Sequence, residues 1–214
     1  NQPVPACWTV AESEDNPDWM AAELVASSLD LEHHQYVLDE DSFNNRLPDL
    51  SWHGEDFDVT VLFFQPLFEK MSQSVTVGLC GQGADELHAG YPRYRDLEAH
   101  SKLVRNRLDN MNFNLNNLND ENWWSDDLTP EFHTNSLQDF LQFELDHGQL
   151  TNFQLRLVDR HSMAHGLEVR VPFLGSRHRK ESNRLPMKLR YTKGIDEKAA
   201  LRKAASLTDL PAEI

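Results

Sequence analysis

Ser74 to Tyr94 reads S-V-T-V-G-L-C-G-Q-G-A-D-E-L-H-A-G-Y-P-R-Y, and the fold turns on this stretch. Val75, Val77 and Leu79 recur at period two, which predicts a short strand. Gly81 and Gly83 follow. Glycine has no Cβ to clash, so the backbone can turn tightly into a helix beginning at Ala84 to Leu87. Gly90, Tyr91 and Pro92 stop that helix. A strand, a glycine turn and a helix start in succession aim backbone N–H groups at a phosphate or carboxylate. Asp85 and Glu86, adjacent at the turn, add oxygen ligands suited to a magnesium ion with its phosphates.

Upstream, Ala6 to Val10 is a compact apolar run that predicts a buried strand. Asn16 is placed to cap a helix with Pro17 at its first position, and Trp19, Met20, Ala22, Leu24, Val25 and Leu29 give that helix an apolar face. His33 to Asp39 reads as a second strand and Asp41 to Leu47 as a second helix, followed by an acidic loop from Trp52 to Asp58. Val59 to Met71 suits a buried helix with a kink at Pro66. Strand, helix, strand, helix, strand predicts an α/β layer built on a parallel sheet.

Downstream the character turns helical. Helices are expected over Asp96 to Leu108, Leu137 to Leu145, Thr151 to Ala164 and Lys198 to Ala205. The asparagine-rich tract from Asp109 to Asp127 reads as a surface excursion. Val169 to Gly175 reads as an extended turn, since Pro172 biases Val171 away from helix. The expected organisation is an α/β layer over residues 1–95 and a helical part of the same domain over 96–214.

The 214 residues fit one domain, or one and a fraction. With 35 acidic and 20 basic residues the formal charge is −15, which argues against nonspecific binding to nucleic acid or an anionic membrane. No apolar run is long enough to span a bilayer. Two cysteines, Cys7 and Cys80, form neither a disulfide framework nor a metal-binding pattern, and point to a reducing cytoplasm.

Several spans in order resemble the C-terminal synthetase domain of the glutamine-hydrolysing asparagine synthetase family. Asn16-Pro17-Asp18, Ala21-Ala22, Val25-Ala26 and Glu32-His33-His34 are similar to its Ser-Pro-Asp-Leu, Ala-Ala, Val-Ala and His-His-Glu. Phe57 to Thr60 resembles its Tyr-Asp-Val-Thr. Gly81-Gln82-Gly83-Ala84-Asp85-Glu86 resembles its Gly-Glu-Gly-Ser/Ala-Asp-Glu. Asp159 to Ala164 and Leu167 to Leu174 resemble Asp-Arg-Met-Ser-Met-Ala and Leu-Glu-Val-Arg-Val-Pro-Phe-Leu-Asp. Glu197-Lys198, Leu201-Arg202 and Leu210-Pro211 resemble its closing motifs.

The resemblance implies an N-type ATP pyrophosphatase fold: a partial parallel sheet with flanking helices, then a mainly helical C-terminal half. It implies Mg-ATP as the cofactor, adenylation of the aspartate side-chain carboxylate with release of pyrophosphate, and displacement of AMP by ammonia. The ammonia comes from glutamine at a glutaminase domain, and a homodimer is among the partners implied. Carried over by position, Val10, Cys80, Gly81 and Gly83 contact the nucleotide, Asp85 takes the magnesium, and Gln82 and Glu86 take catalytic places.

Departures from the pattern point to other substrates. Gln82 stands where the family carries a glutamate, and a neutral amide can orient groups but takes no proton and carries no charge. Phe63 stands where a substrate-binding arginine is expected, and Gly175 where an aspartate is. The paralogues that these departures suggest act on a β-lactam, peptide or sugar-linked acid. A noncatalytic nucleotide-binding or interaction module is a third expectation. The family's Ser-Gly-Gly-x-Asp-Ser loop and its Arg-x-Lys-x-Phe segment are not found in the chain. The expectation is therefore a piece of a longer protein, inactive by itself.

Blander roles are expected of other conspicuous residues. His33 and His34 are adjacent on a strand and point to opposite faces, so packing and hydrogen bonding suit them better than a metal. Cys80 reads as inert. Asp159-Arg160 and Glu168 with Arg170 read as buried ion pairs, and Lys198 as an exposed lysine.

Overall fold

The computed structural model describes residues 5–55, 64–99, 137–146, 148–191 and 197–211. It is a mixed α/β structure with small parallel sheets and many helices. In chain order come β1 (Cys7–Ala11), α1 (Pro17–Ser28), β2 (His33–Val37), α2 (Glu40–Gly54), α3 (Phe64–Ser72), β3 (Val77–Leu79) and α4 (Ala84–His88). A 3-10 turn at Pro92–Arg95 precedes α5 (Leu137–Asp146), a π-helical turn at Leu150–Gln154 and α6 (Leu155–Met163). β4 (Glu168–Arg170), a 3-10 turn at Pro172–Leu174, α7 (Ser176–Arg184), α8 (Met187–Arg190) and α9 (Ala199–Ala205) follow. The chain clusters into two compact units, residues 1–80 with 154–172 and 202–214, and residues 81–153 with 173–201.

The first unit holds both sheets. β1 and β2 run parallel with Val10 opposite Tyr36, and β3 runs parallel to β4 with Gly78 opposite Val169. Parallel pairs need a crossover, and α1 supplies it between β1 and β2. Asn16 caps α1 as its sequence predicts, its side chain accepting from the N–H groups of Asp18 (2.8 Å) and Trp19 (3.3 Å). The core gathers Leu67, Phe68 and Met71 of α3, Val158 of α6 and Leu167, with Trp8, Val10 and Tyr36 packed against it.

Several expectations need correction. β4 occupies the stretch expected to be an extended turn: Pro172 does end it, but Glu168 to Arg170 first pair with β3. Trp52, His53 and Gly54 belong to α2, which runs past Pro48 before Glu55 ends it in the left-handed region (φ 51°). Pro66 lies within α3, and the part of the expected helix before Phe64, Val59 to Phe63, lies outside the described residues. On α1, Trp19 and Ala26 are buried while Met20 and Leu24 are exposed, so the inward stripe is narrower than the apolar spacing suggests. The period-two residues Val77 and Leu79 are exposed, and the buried position of β3 is Gly78. The helix expected over Asp96 to Leu108 is described only as far as residue 99. Phe57 to Thr60, Phe63 and the tract from Asp109 to Asp127 lie outside the described residues.

The second unit is helical among its described residues. Ala89, Tyr94, Phe140 and Leu141 form its core, with Tyr91, Leu97, Leu137, Met187 and Tyr191 around them. α4 packs against both α5 and α7.

Candidate functional site

The glycine turn opens the second unit. Gly83 has φ 91°, a left-handed conformation that glycine adopts without steric cost. It is also where Leu174 presses closest: a Cβ at Gly83 would lie 2.3 Å from Leu174 Cδ2. Gly81 behaves otherwise than expected, with an ordinary φ and open space where a Cβ would stand. Gln82, between them, is half-buried.

Asp85, the second residue of α4, pairs with Lys198, Oδ1 to Nζ 2.8 Å, and both side chains are about one-quarter exposed. Gly90 makes room for this pair, since a Cβ there would fall 2.0 Å from Asp85 Oδ1 and 2.1 Å from Lys198 Cε. Lys198 therefore has a partner at the turn that its sequence context alone did not give. Its φ of 54° fixes the approach to α9.

Glu86 points the other way, into the interior. It is fully buried, and neither carboxylate oxygen has a hydrogen-bond partner. Burial pushes its pKa up to about 7, with Glu144 and Asp85 adding to the rise and Arg93 opposing it. Arg93 itself is bound to Glu144 at 2.8 Å and lies over the rings of Tyr91 (4.0 Å) and Tyr94 (5.0 Å). Burial also holds the Glu144 carboxyl above the ordinary range. Sequence reasoning missed this Arg93–Glu144 pair, because the two residues are far apart in the chain and neither stands in a motif.

On the far turn of α4, His88 Nε2 lies 3.0 Å from His178 Nε2, with Ser182 Oγ at 3.4 Å. One imidazole must donate and the other accept, so one proton lies between the two Nε2 atoms. Burial, His178 and Arg190 push the His88 pKa down to about 4, leaving it neutral at pH 7.

Gly81, Gln82, Gly83, Asp85 and Glu86 thus share one turn and one short helix of the second unit, while Val10 and Cys80 belong to the first. Val10 lies in β1 and packs on the α3 core. The Cys80 N–H donates to the Arg170 carbonyl at 2.9 Å, continuing the β3–β4 ladder past its last strand residue.

The arginines of the remaining charged motifs are engaged by neighbouring groups. Arg160 donates to the Gly54 carbonyl (2.6 Å) and pairs with Glu55 (2.9 Å), joining α6 to the end of α2. Glu168 and Arg170 pair with each other at 2.8 Å but are exposed, which corrects the expectation of a buried pair. His33 binds Thr9 Oγ1 at 2.9 Å and His34 stacks on Trp8, ring centroids 4.0 Å apart.

No group of three or more His, Cys, Asp or Glu side chains among the described residues could cage a metal. Asp85 can still serve as a single hard oxygen ligand, which suits magnesium because that ion keeps its waters and takes phosphates in preference to an all-protein cage. Glu86, sealed in the interior, does not face that side. No helix of the described residues is long and apolar enough to cross a membrane.

The family model described as "Asparagine synthase" matches residues 2–214. The chain is 26% identical over 209 residues to the "Asparagine synthetase [glutamine-hydrolyzing]" of Mesocricetus auratus, covering 94% of this chain and 31% of that relative. The proteins of the same name from Rattus norvegicus and Homo sapiens match with the same identity and the same coverage. The chain spans about a third of the length of these relatives. A family match that runs from residue 2 to residue 214 assigns this chain to the asparagine synthase family.

Proposed function

We propose that the chain is part of an N-type ATP pyrophosphatase domain that forms an amide from a carboxylate and ammonia at the expense of Mg-ATP. The observation that carries this reading is the Asp85–Lys198 pair at the head of α4, held open by the bare Cα of Gly90. A carboxylate and an ammonium side by side match a metal ion and a phosphate side by side. Asp85 would hold Mg2+, which when bound neutralises the charge that gathers on pyrophosphate as it leaves. Lys198 would then turn from Asp85 to a phosphate oxygen. Gly81, with open space where a Cβ would stand, lets the backbone approach the nucleotide, and Gly83 gives the turn its left-handed backbone against Leu174; Cys80 and Val10 keep the nucleotide contacts that the family resemblance implies. Gln82 orients the acceptor carboxylate. Glu86, buried behind Asp85, acts as a support for the helix start and not as a group that touches substrate.

The acceptor is aspartate, with asparagine as product, in line with the names of the relatives. The ammonia would come from glutamine at a glutaminase domain of the same protein, which works in the cytoplasm as a homodimer. A second reading has one specific observation in its favour: Gln82, an uncharged amide at the centre of the turn, suits an acceptor other than aspartate. The test is pyrophosphate release by the protein that contains this chain, supplied with Mg-ATP, ammonia and either aspartate or other carboxylates. Release with aspartate alone is expected. Release only with other acids transfers the function to the second reading. Release that survives Asp85→Asn unchanged would remove the turn from the chemistry.

A further inference from the structure

Where α4 meets α7, three electron-pair donors gather. His178 and Ser182 stand at i and i+4 on α7 and so share one face, and His88 comes to them from the last turn of α4. His88 Nε2 lies 3.0 Å from His178 Nε2 and 3.4 Å from Ser182 Oγ. The two rings do not stack: their planes cross at 62° with centroids 5.2 Å apart. His88 and Ser182 are buried and His178 is half-buried, with the Phe173 ring edge-on to it at 5.2 Å between centroids.

Two ligand atoms bound to one zinc-sized ion at about 2.0–2.1 Å, at square to tetrahedral angles, lie roughly 2.8–3.4 Å from each other. Both distances from His88 Nε2 fall in that interval. A hydrogen bond between the rings uses two of the three atoms, whereas a metal ion uses all three. Neutral imidazole is the form that binds metal, and burial keeps His88 in that form at pH 7. As the ion enters, the proton between the two Nε2 atoms passes to Nδ1 of the ring that carried it, so both rings stay neutral. The positive groups that act on His88 besides His178 are Arg190 and Lys198, and both are engaged, Arg190 by the Ser182 carbonyl and Lys198 by Asp85, the carboxylate that acts in the opposite sense.

We propose that His88, His178 and Ser182 form an open site for a transition-metal ion of the zinc type, with water in the remaining positions. Imidazole suits zinc, copper and nickel and not magnesium, so the site stands apart from the reading of Asp85. Zinc chloride titrated into the full chain at pH 8 tests it, followed by the imidazole nitrogen resonances, because the chain has ten histidines and the readout must name the residue. The Nε2 resonances of His88 and His178 should shift together and saturate, with both rings fixed as Nδ1–H. Magnesium chloride should leave them in place. By calorimetry His178→Gln and His88→Gln should each weaken binding about a hundredfold or more, since a lost ligand costs at least the roughly 10–100-fold of a lost outer partner. Glutamine keeps a donor and an acceptor at the contact, and the resonances are read on the unaltered chain. His53→Gln, in the other unit, should leave the affinity unchanged. No saturable shift, shifts confined to other histidines, an equal response to magnesium, unchanged affinity in both pair variants, or an equal loss in His53→Gln would each overturn the proposal.

Discussion

Gly81 and Gly83 look alike in the sequence and differ in the structure. At Gly83 a methyl group would meet Leu174 Cδ2 at 2.3 Å and Cγ at 2.6 Å, on a backbone at φ 91°. Gly83→Ala should therefore destabilise the chain by about 2–4 kcal/mol, overpacking and left-handed strain together. Gly81→Ala meets nothing within 4 Å and should stay within about 0.5 kcal/mol of wild type. Urea unfolding midpoints compare the two, and equal shifts would refute the distinction. Glu86 gives a pH signature. Its folded pKa of about 7 lies above the 4.5 expected when it is exposed, so the folded state holds the proton more tightly. Its contribution is full below pH 4.5 and is lost as pH rises to 7 and beyond, a loss on the order of 3 kcal/mol. Glu86→Gln removes this titration and should gain stability over wild type at pH 8 and little at pH 5, as read from Tm at both. The identity of the turn was legible because glycine and adjacent carboxylates carry their chemistry locally. The partners were not: Lys198 reaches Asp85 and Glu144 reaches Arg93 through tertiary contacts that no spacing encodes.

At the scale of elements, strands and helices with strong local signals were readable, and those defined by pairing were not. Asn16 before Pro17 fixed the start of α1, because a cap and a helix-ready proline act within one turn. β4 escaped because Glu168 to Arg170 alternates charge about a single valine and becomes a strand only by hydrogen bonding to β3. α7 escaped because S-R-H-R-K-E-S-N-R carries no apolar stripe, and it is held through contacts such as His178 with His88. β3 shows the limit of periodicity most clearly. Its apolar residues Val77 and Leu79 are 39% and 71% exposed, while Gly78 is buried, so a Cβ there would meet Met71 Cε at 2.8 Å. Parallel sheets are ordinarily covered on both faces, and the alternation reports the side that this chain leaves bare. Leu67 of α3, by contrast, sits in the core. Leu67→Ala should cost about 2–5 kcal/mol. Leu79→Ala should stay within about 0.5 kcal/mol. Thermal unfolding separates these outcomes, and a large loss at Leu79 would mean that its face is covered in solution.

Over the whole molecule, charge is the property the sequence states most directly and the one least tied to any element. A formal charge of −15 in 214 residues makes the folded state repel itself at neutral pH, and unfolding relieves that repulsion by spreading the charges. Specific pairs oppose it. Arg93 and Glu144 are largely buried and poorly screened, whereas Arg160 with Glu55 and Arg170 with Glu168 stand in solvent and contribute little. Raising salt from about 0.01 M to about 0.15 M shortens the Debye length from roughly 30 Å to roughly 8 Å. That change removes more of the long-range repulsion than of the short-range pairing. Tm at pH 7.5 should therefore rise with sodium chloride, and the rise should shrink at pH 5, where carboxylates begin to take up protons and the net charge falls. Glu86→Gln should leave this salt dependence in place, because its carboxylate is one among many in the overall field. A Tm that falls with salt at pH 7.5 would mean that the exposed pairs outweigh the net repulsion, and that the −15 does not govern the stability of this fold.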